Sequence, residues 1–316
     1  MLLTPALMGA CSESGSPSQE IWDYPERFGP PLIPDDNPQT DEKIELGRKL
    51  FFDPVLSRNR NLACASCHLP EHGFADTAAL SKGFHGRSGE RNAPALMNLA
   101  WRSRFNLDGG VRSIELQVLV PLLDSTEMAS TTPWVIERLR ADPDYVDLFQ
   151  KAFGRPPDDF GLVRALAAYE RTLVHYGSPH DRFEEGDTAA LSLAARRGRA
   201  LFYGPESQCS SCHSGVFLTD QGYHRLVPAH PRDDGRARIT LDRNDRGQFH
   251  TPSLRNVRNT APYFHDGRFS TLREVVDFYA QGGVSMPDSL PGDPRIRPLP
   301  WSEQDKVDLV AFLEAL

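Results

Sequence analysis

CASCH at residues 64–68 and CSSCH at residues 209–213 are the most informative stretches of this chain. In each, two cysteines separated by two residues are followed directly by a histidine. This pattern is typical of haem c attachment, because the thiols add to the two vinyl groups of the haem and the histidine then binds its iron. Each stretch therefore predicts one covalently bound haem c. The residues concerned are Cys64, Cys67 and His68 in the first stretch and Cys209, Cys212 and His213 in the second.

A zinc site built from the four cysteines is the alternative explanation. It would join two pairs that are far apart in the chain and would leave both histidines without a role. The residues ahead of the two motifs also match each other, with GRKLFF at 47–52 and GRALFY at 198–203. An internal repeat of this kind indicates two related units. Two haem-binding units explain the cysteines, the histidines and the repeat together.

Composition limits the class of protein. The 316 residues are enough for two domains of ordinary size, and a hydrophobic fraction of 39% is enough for packed cores. The sequence has no run of about 18 apolar residues, so we expect no membrane-spanning helix. The net charge is −8, and the 35 Lys and Arg residues are scattered. Because phosphate binding needs a concentrated basic surface, no nucleic-acid partner is expected.

Residues 1–20 form a signal-like segment and linker that we set apart from the fold. An apolar start ends at Cys11 and is followed by small polar residues, which resembles a lipoprotein signal with Cys11 as the lipidated residue. The segment lacks the positive residues that usually begin such a signal, so an incidental cysteine is the alternative. The export signal predicts a periplasmic protein, and Cys11 would give it a lipid anchor.

Helical periodicity and capping signals dominate the rest of the chain. Thr40 can cap a helix whose first turn is acidic, and Pro133 and Pro143 each stand in a first helical turn. The 26 prolines and 24 glycines indicate long ordered loops, and strand signals are weak throughout. Helices are predicted at about 40–51, 132–140, 142–153, 158–175, 188–202 and 302–316.

The predicted fold class is mainly α, with two cytochrome c-like domains joined by long loops. Each domain would carry one covalently bound haem c. Residues 21–178 would form the N-terminal haem domain, and residues 179–316 the C-terminal haem domain. The sequence GSP at 177–179 marks the expected linker between them.

Further motifs follow the two CxxCH motifs in a fixed order. They are RNAP at 91–94, DG at 108–109, EM at 127–128, TPSLRN at 251–256 and PYFHDG at 262–267. Together they resemble the bacterial di-haem cytochrome c peroxidase and MauG family, from about Leu46 to Leu316. The resemblance implies that the haem bound through His68 reacts with peroxide and that the haem bound through His213 transfers electrons.

The resemblance also places Gln117 and Glu127 at the open face of the first haem. A carboxylate there can move a proton from one peroxide oxygen to the other, which promotes cleavage of the O–O bond. Considered alone, such side chains are usually solvated surface residues, so this assignment depends on the motifs.

His85 resembles the removable distal histidine of the peroxidases, displaced by one residue, and His72 competes with it. A surface histidine is the alternative, and MauG-type members have no distal histidine.

For the second haem, the resemblance implies that Tyr279 is the distal axial ligand. At this distance from the histidine of the PYFHDG motif the peroxidases carry a methionine, whereas MauG carries a tyrosine. A helix capped by Thr271 and Glu274 would turn Tyr279 inward. A core tyrosine is one alternative, and Met286 as the ligand is another. A tyrosinate stabilises oxidised iron, so it favours MauG-like storage of oxidising equivalents.

Two further features concern communication between the domains. Leu107 stands where the family carries a tryptophan between the haems, and leucine cannot relay an electron hole. Transfer would then depend on Trp101 or on a haem propionate.

Asn92, Thr260 and Pro262 match positions that hold a calcium ion through one amide oxygen and two backbone carbonyls. Ordinary loop residues are the alternative for these three.

Three functions follow from these features. The leading hypothesis is a peroxidase that reduces hydrogen peroxide to water with electrons from a small periplasmic c-type cytochrome or cupredoxin. The alternative is a MauG-like enzyme that uses peroxide to oxidise a Trp or Tyr side chain of a partner protein. The third is a non-catalytic di-haem electron carrier, in which strong ligands would close both irons. Assembly as a homodimer is compatible with each.

Overall fold

The computed structural model describes residues 22–226, 233–283 and 291–316. In these ranges the chain is mainly helical with one two-stranded sheet, as the predicted fold class requires. The signal-like segment with Cys11, and the alternative ligand Met286, lie outside the described residues. None of the helices in the described ranges is long and apolar enough to cross a membrane.

The α-helices fall into two groups, one on either side of residue 178. The first group comprises α1 (Asp41–Phe52), α2 (Ile114–Gln117), α3 (Leu119–Leu123), α4 (Thr132–Arg140), α5 (Pro143–Phe153) and α6 (Asp159–Arg171). The second comprises α7 (Pro179–Glu184), α8 (Leu193–Tyr203), α9 (Ala237–Thr240), α10 (Leu272–Ala280) and α11 (Glu303–Leu313). Two short antiparallel strands, β1 (Tyr223–His224) and β2 (Phe249–His250), pair Tyr223 with His250 and His224 with Phe249. Long loops with isolated 3₁₀ turns connect these elements.

Each group is built on one pair of closely packed helices. In α1, Gly47 lies so near α6 that a Cβ atom there would be 1.9 Å from the carbonyl oxygen of Ala165. In α8, Gly198 lies equally near α11, where a Cβ atom would be 1.9 Å from the carbonyl oxygen of Asp308. No residue larger than glycine fits at such a distance. The repeated glycine in the sequence therefore marks the two helix crossings.

A hydrophobic core surrounds each helix pair. In the first group Leu46 of α1 is fully buried, and in the second the rings of Phe202 and Phe312 pack 5.3 Å apart. Burying a large apolar side chain contributes about 1.5–3 kcal/mol. Cys64 packs against the first core and Cys209 against the second. The cores therefore hold the two CxxCH motifs in place.

The six predicted helices are present, and their ends differ by three or more residues in three places, one of which is the last helix, predicted to reach residue 316 and ending at Leu313. Thr40 caps α1 as predicted, and its side-chain oxygen accepts a hydrogen bond from the first turn. The helix predicted to reach residue 175 ends at Arg171, and the helix predicted from residue 188 begins only after its cap, Ser192. The predicted linker is ordered, because Ser178 is buried and caps α7.

Candidate active site and haem-binding sites

The first CxxCH motif folds as a tight turn. Cys64–Ser66 form one turn of 3₁₀-helix, and the N–H of His68 donates to the carbonyl of Cys64 at 3.0 Å. Nδ1 of His68 donates to the carbonyl oxygen of Phe74 at 2.8 Å. This bond fixes the ring and leaves Nε2 as the atom that can bind a metal. Burial lowers the pKa of His68, so the ring is neutral and keeps its lone pair.

The second motif repeats this geometry. Cys209–Ser211 form a 3₁₀ turn, and the N–H of His213 donates to the carbonyl of Cys209 at 2.9 Å. Nδ1 of His213 donates to the carbonyl oxygen of Leu218 at 3.1 Å, which again leaves Nε2 free for a metal. Burial lowers the pKa of His213 as well. The two units therefore present their histidines in the same way.

None of the four motif cysteines forms a disulfide, so each is available for a thioether bond. Beside the second motif lies a cavity of about 300 Å³. Cys209, Cys212 and His213 line this cavity, together with Tyr279 and apolar side chains such as Val276. Two thiols, a neutral imidazole and an apolar wall form the environment that a covalently bound haem requires.

Tyr279 lies where the sequence predicted the second axial ligand. It lines the same cavity as His213, and the predicted capping box begins its helix, α10. Burial raises the pKa of the Tyr279 hydroxyl, and the neighbouring Cys209 and Cys212 raise it further. The side chain thus lies close to the haem-attaching thiols, and its role as the axial ligand stays a prediction.

The first unit has a different residue at the position that matches Tyr279. Residues 105–111 and 263–269 form equivalent loops, each closed by a reciprocal pair of backbone hydrogen bonds. Two residues after each loop comes the capping residue of the next helix. Eight residues beyond the cap, α10 carries Tyr279 and the first unit carries Pro121. Proline has no side-chain atom that can bind iron.

Glu127 lies beside the first motif. Burial is the main reason why the pKa of Cys67 is raised, and the charge of Glu127 adds to that effect. The side chain of Glu127 is exposed, yet the surrounding protein desolvates its carboxyl enough to raise its pKa, with a further contribution from Asp124. Gln117 is the half-buried last residue of α2. The N–H of Phe84 donates to the carbonyl of Glu127 at 2.7 Å, which attaches a neighbouring loop to this segment.

That neighbouring loop carries His85. Its residue Gly83 packs so closely that a Cβ atom would be 2.1 Å from the carbonyl oxygen of Thr126. His85 itself is exposed, has a φ of 55° and packs its ring against Phe84 with centroids 4.0 Å apart. His72 lies in a separate turn, just after the first CxxCH motif. The structure therefore holds the loop of His85 against the segment of Glu127.

Comparison with known proteins identifies the family. A family model described as di-haem cytochrome c peroxidase matches residues 41–189. The chain is 40% identical to the methylamine utilization protein MauG of Methylorubrum extorquens, over 90% of this chain and 80% of that protein. It is 38% identical to the cytochrome-c peroxidase IdrP1 of Pseudomonas sp. strain SCT, over 91% and 84%. The chain belongs to the di-haem cytochrome c peroxidase family.

A solved structure supports this membership at the level of the fold. The crystal structure of a MauG-like protein associated with microbial copper homeostasis superposes with a TM-score of 0.87 and 35% identity. The match covers 93% of this chain and 95% of that one. The fold is therefore that of two cytochrome c-like domains, and the cofactors of this di-haem peroxidase are two haem c groups, as predicted.

In this di-haem peroxidase, Leu107 and Trp101 both line the cavity of the second haem. The N–H of His250 donates to the carbonyl of Leu107 at 2.8 Å. Trp101 is buried, and its indole N–H donates to the carbonyl of Gly29 at 3.0 Å. Both residues are thus held in fixed positions on the cavity wall, and only Trp101 could be oxidised.

Asn92, Thr260 and Pro262, the predicted calcium ligands, line the same cavity. The side-chain nitrogen of Asn92 donates to the carbonyls of Ala78 and Ala79 at 3.1 and 3.2 Å. Its side-chain oxygen therefore remains available for a cation. Three oxygen donors of this kind would need water to complete a calcium site, so the ion stays a prediction.

A cluster of Cys212, Asp220 and His224 also brings possible metal-binding atoms together. Nε2 of His224 donates to Asp220 at 2.7 Å, and its Nδ1 lies 3.2 Å from Asp293. Because the sulfur of Cys212 forms a thioether in the haem protein, we interpret the cluster as an ion-pair network.

Sequence reasoning missed the ionic contacts that fix the haem loops. Arg91 binds Asp108 at 2.6 Å and Asp233 at 2.7 Å, which links the two groups of helices. Arg255 binds the buried Asp181 at 2.8 Å. Each pair joins residues far apart in the chain, so local spacing gives no signal. The hints are that both arginines lie within the RNAP and TPSLRN motifs and that Asp108 lies within the DG motif.

Proposed function

We propose that the protein reduces hydrogen peroxide to water: H₂O₂ + 2 e⁻ + 2 H⁺ → 2 H₂O. The observation that carries this proposal is the inequality of the two haem sites. Tyr279 lines the cavity of the second haem, whereas the matching position of the first unit is Pro121. An iron with an open face can receive peroxide, and an iron closed by a ligand serves electron transfer. We therefore assign peroxide to the haem bound through His68.

The haems supply the electron transfer of this reaction, and the chain supplies the proton transfer. Glu127 would take a proton from one oxygen of the peroxide and return it to the other, which then leaves as water. The raised pKa of Glu127 suits this role, because a catalytic group works best when it can both accept and release a proton near the working pH. Gln117 would orient the peroxide through hydrogen bonds.

The donor and location belong to the same proposal. The electrons would come from a small periplasmic c-type cytochrome or cupredoxin, and the protein would be exported and anchored through a lipid on Cys11.

We place the domain boundary between residues 178 and 179, because one large buried core lies before it and another after it. Mass analysis of the mature N-terminus would test the lipid, and light scattering would test the proposed homodimer.

Consumption of a reduced c-type cytochrome on addition of peroxide tests the function. We expect rapid, peroxide-dependent oxidation by the wild-type holoprotein. Glu127→Gln should lower kcat/KM for peroxide by roughly 10²–10⁴-fold, because the proton acceptor is lost. Glu137→Gln, at an exposed position of α4, is the control and should leave the rate unchanged. A wild-type protein that leaves several reduced cytochromes and cupredoxins untouched would contradict the peroxidase proposal.

A MauG-like oxidation of a partner protein is the second candidate, and Tyr279 favours it. An anionic oxygen ligand stabilises highly oxidised iron and so makes the second haem a weaker acceptor of electrons from a donor protein. The oxidising equivalents from peroxide would then oxidise a Trp or Tyr side chain of the partner protein. Mass spectrometry of co-purifying or co-encoded proteins, with and without peroxide, separates the candidates. Only the second predicts a defined change in partner mass that requires peroxide.

A further inference from the structure

Arg102 lines the cavity of the second haem and has no acidic partner within the described part of the chain. Its Nε atom is buried and makes no hydrogen bond. Its Nη2 atom donates to Nδ1 of His250 across 3.5 Å, which is the outer limit for such a bond. The other nearby aromatic residue, Phe105, lies 5.7 Å from the guanidinium carbon. The side chain that lines the cavity therefore has an unpaired donor, Nε.

Arg102 nevertheless keeps its charge. Burial lowers the pKa of Arg102, but only to about 10, so the group is a cation at neutral pH. Burial and the charge of Arg102 lower the pKa of His250 to about 3, so this neighbour is neutral and cannot serve as a counter-ion. A buried cation without an anion is strongly unfavourable. An anion bound in the cavity next to Arg102 would remove this cost.

The second haem provides an anion of the right chemistry. Its attachment points Cys209, Cys212 and His213 line the same cavity as Arg102, and every haem c carries two propionate carboxylates. The planar guanidinium matches a carboxylate with two parallel hydrogen bonds, which a lysine ammonium cannot do. We infer that Arg102 binds a propionate carboxylate of the second haem.

This contact would join the two halves of the protein through the cofactor. Arg102 belongs to the first half, where it follows the turn Leu99–Trp101 and precedes Leu107 in the same loop. The haem belongs to the second half. An ion pair between them neutralises a propionate and so raises the reduction potential of the second haem. It also gives that haem a hydrogen-bonded path to the loop in which leucine replaces the tryptophan expected between the haems.

The test is a redox titration of the holoprotein together with resonance Raman spectra of the propionate bending mode. Arg102→Gln should lower the potential of the second haem and shift its propionate band. Arg102→Lys keeps the charge but loses the planar pair of donors, so it should shift the band with a smaller fall in potential. Arg104→Gln, an exposed arginine two positions away, is the matched control and should change neither.

The outcomes are decisive in either direction. A propionate band in Arg102→Lys that is identical to that of Arg104→Gln would overturn the inference, even if Arg102→Gln proved too unstable to study. If Arg102 binds a free anion instead, the wild-type spectrum should depend on the chloride or acetate concentration. The propionate band should then be the same in both Arg102 variants as in the wild type, which would also overturn the inference. The inference rests on the haem groups and not on peroxide turnover, so a failure of the peroxidase assay would leave this test intact.

Discussion

Gly198→Ala should destabilise the second unit by separating α8 from α11. The new Cβ atom would lie 1.9 Å from the carbonyl oxygen of Asp308 and 2.9 Å from the Cα atom of Leu309. These are backbone atoms, so ordinary contact near 3.4 Å requires the helices to move apart by about 1.5 Å. The rings of Phe202 and Phe312 meet across this pair and would lose part of their contact.

The expected magnitude follows from two opposing effects. Overpacking costs about 1–3 kcal/mol, and a rigid backbone neighbour places this site at the upper end. Alanine in a helix recovers about 1 kcal/mol relative to glycine, which leaves a net loss of about 2 kcal/mol in the free energy of unfolding. For a domain of this size, the loss corresponds to a fall in Tm of about 4–8 °C. Gly47→Ala should have a similar effect on the first unit.

Thermal unfolding, followed by near-ultraviolet circular dichroism and by Soret absorbance, measures this effect. Gly161→Ala in α6 is the control, because the atoms nearest to its new Cβ atom belong to the side chains of Phe149 and Phe153, at 3.0 Å, and not to backbone. These side chains can shift, and the gain in helix propensity should then bring the net change close to zero. The reasoning is refuted if Gly198→Ala is as stable as the wild type, or if Gly161→Ala loses as much stability as Gly198→Ala.

Three further predictions concern the site and its support. Because Glu127 must be ionised to act as a base and its pKa is raised, kcat/KM for peroxide should fall with decreasing pH through a value above that of a normal glutamate; Glu127→Gln should flatten this profile. Tyr279→Phe should change the electron paramagnetic resonance signal of the second iron, whereas Tyr203→Phe should not; an unaltered signal removes Tyr279 as a ligand. Asp181→Asn should cost about 3–5 kcal/mol in urea unfolding, because Arg255 is left buried without its anion. Arg255 holds the pKa of Asp181 far below its usual range, so this stability should be complete above about pH 4 and decline only as the pH falls below it.

Most of the haem architecture could be predicted from the sequence because its signals are local. The CxxCH spacing is set by the haem itself, and the helix caps at Thr40 and Ser302 depend on neighbouring residues only. The repeat of Gly47 and Gly198 was also visible, but not its reason. Two helices that cross at backbone distance are a tertiary feature, and nothing in either helix reveals its partner.

The parts that sequence reasoning missed depend on residues distant in the chain. The ion pairs of Arg91 and Arg255 join separate loops, and the isolation of Arg102 becomes visible only when the cavity around it is known. The wrong start of the helix predicted from residue 188 has a different, local cause. The helix predicted from residue 188 begins later, because Ser192 offers a better cap than the residues before it.

The features that distinguish the functions of the two haems are the positions at which the two units differ. Their helix crossings, motif turns and histidine hydrogen bonds are the same, so these features explain haem binding but cannot distinguish the two irons. The differences occur at equivalent positions of the two units. Pro121 of the first unit corresponds to Tyr279 of the second, and Leu107 corresponds to His265. Proline has no side-chain atom that could bind the first iron, whereas Tyr279, the proposed ligand, would offer the second iron an oxygen. An enzyme needs one iron that stays open to peroxide, and this asymmetry at the ligand position is why we favour an enzyme over a carrier.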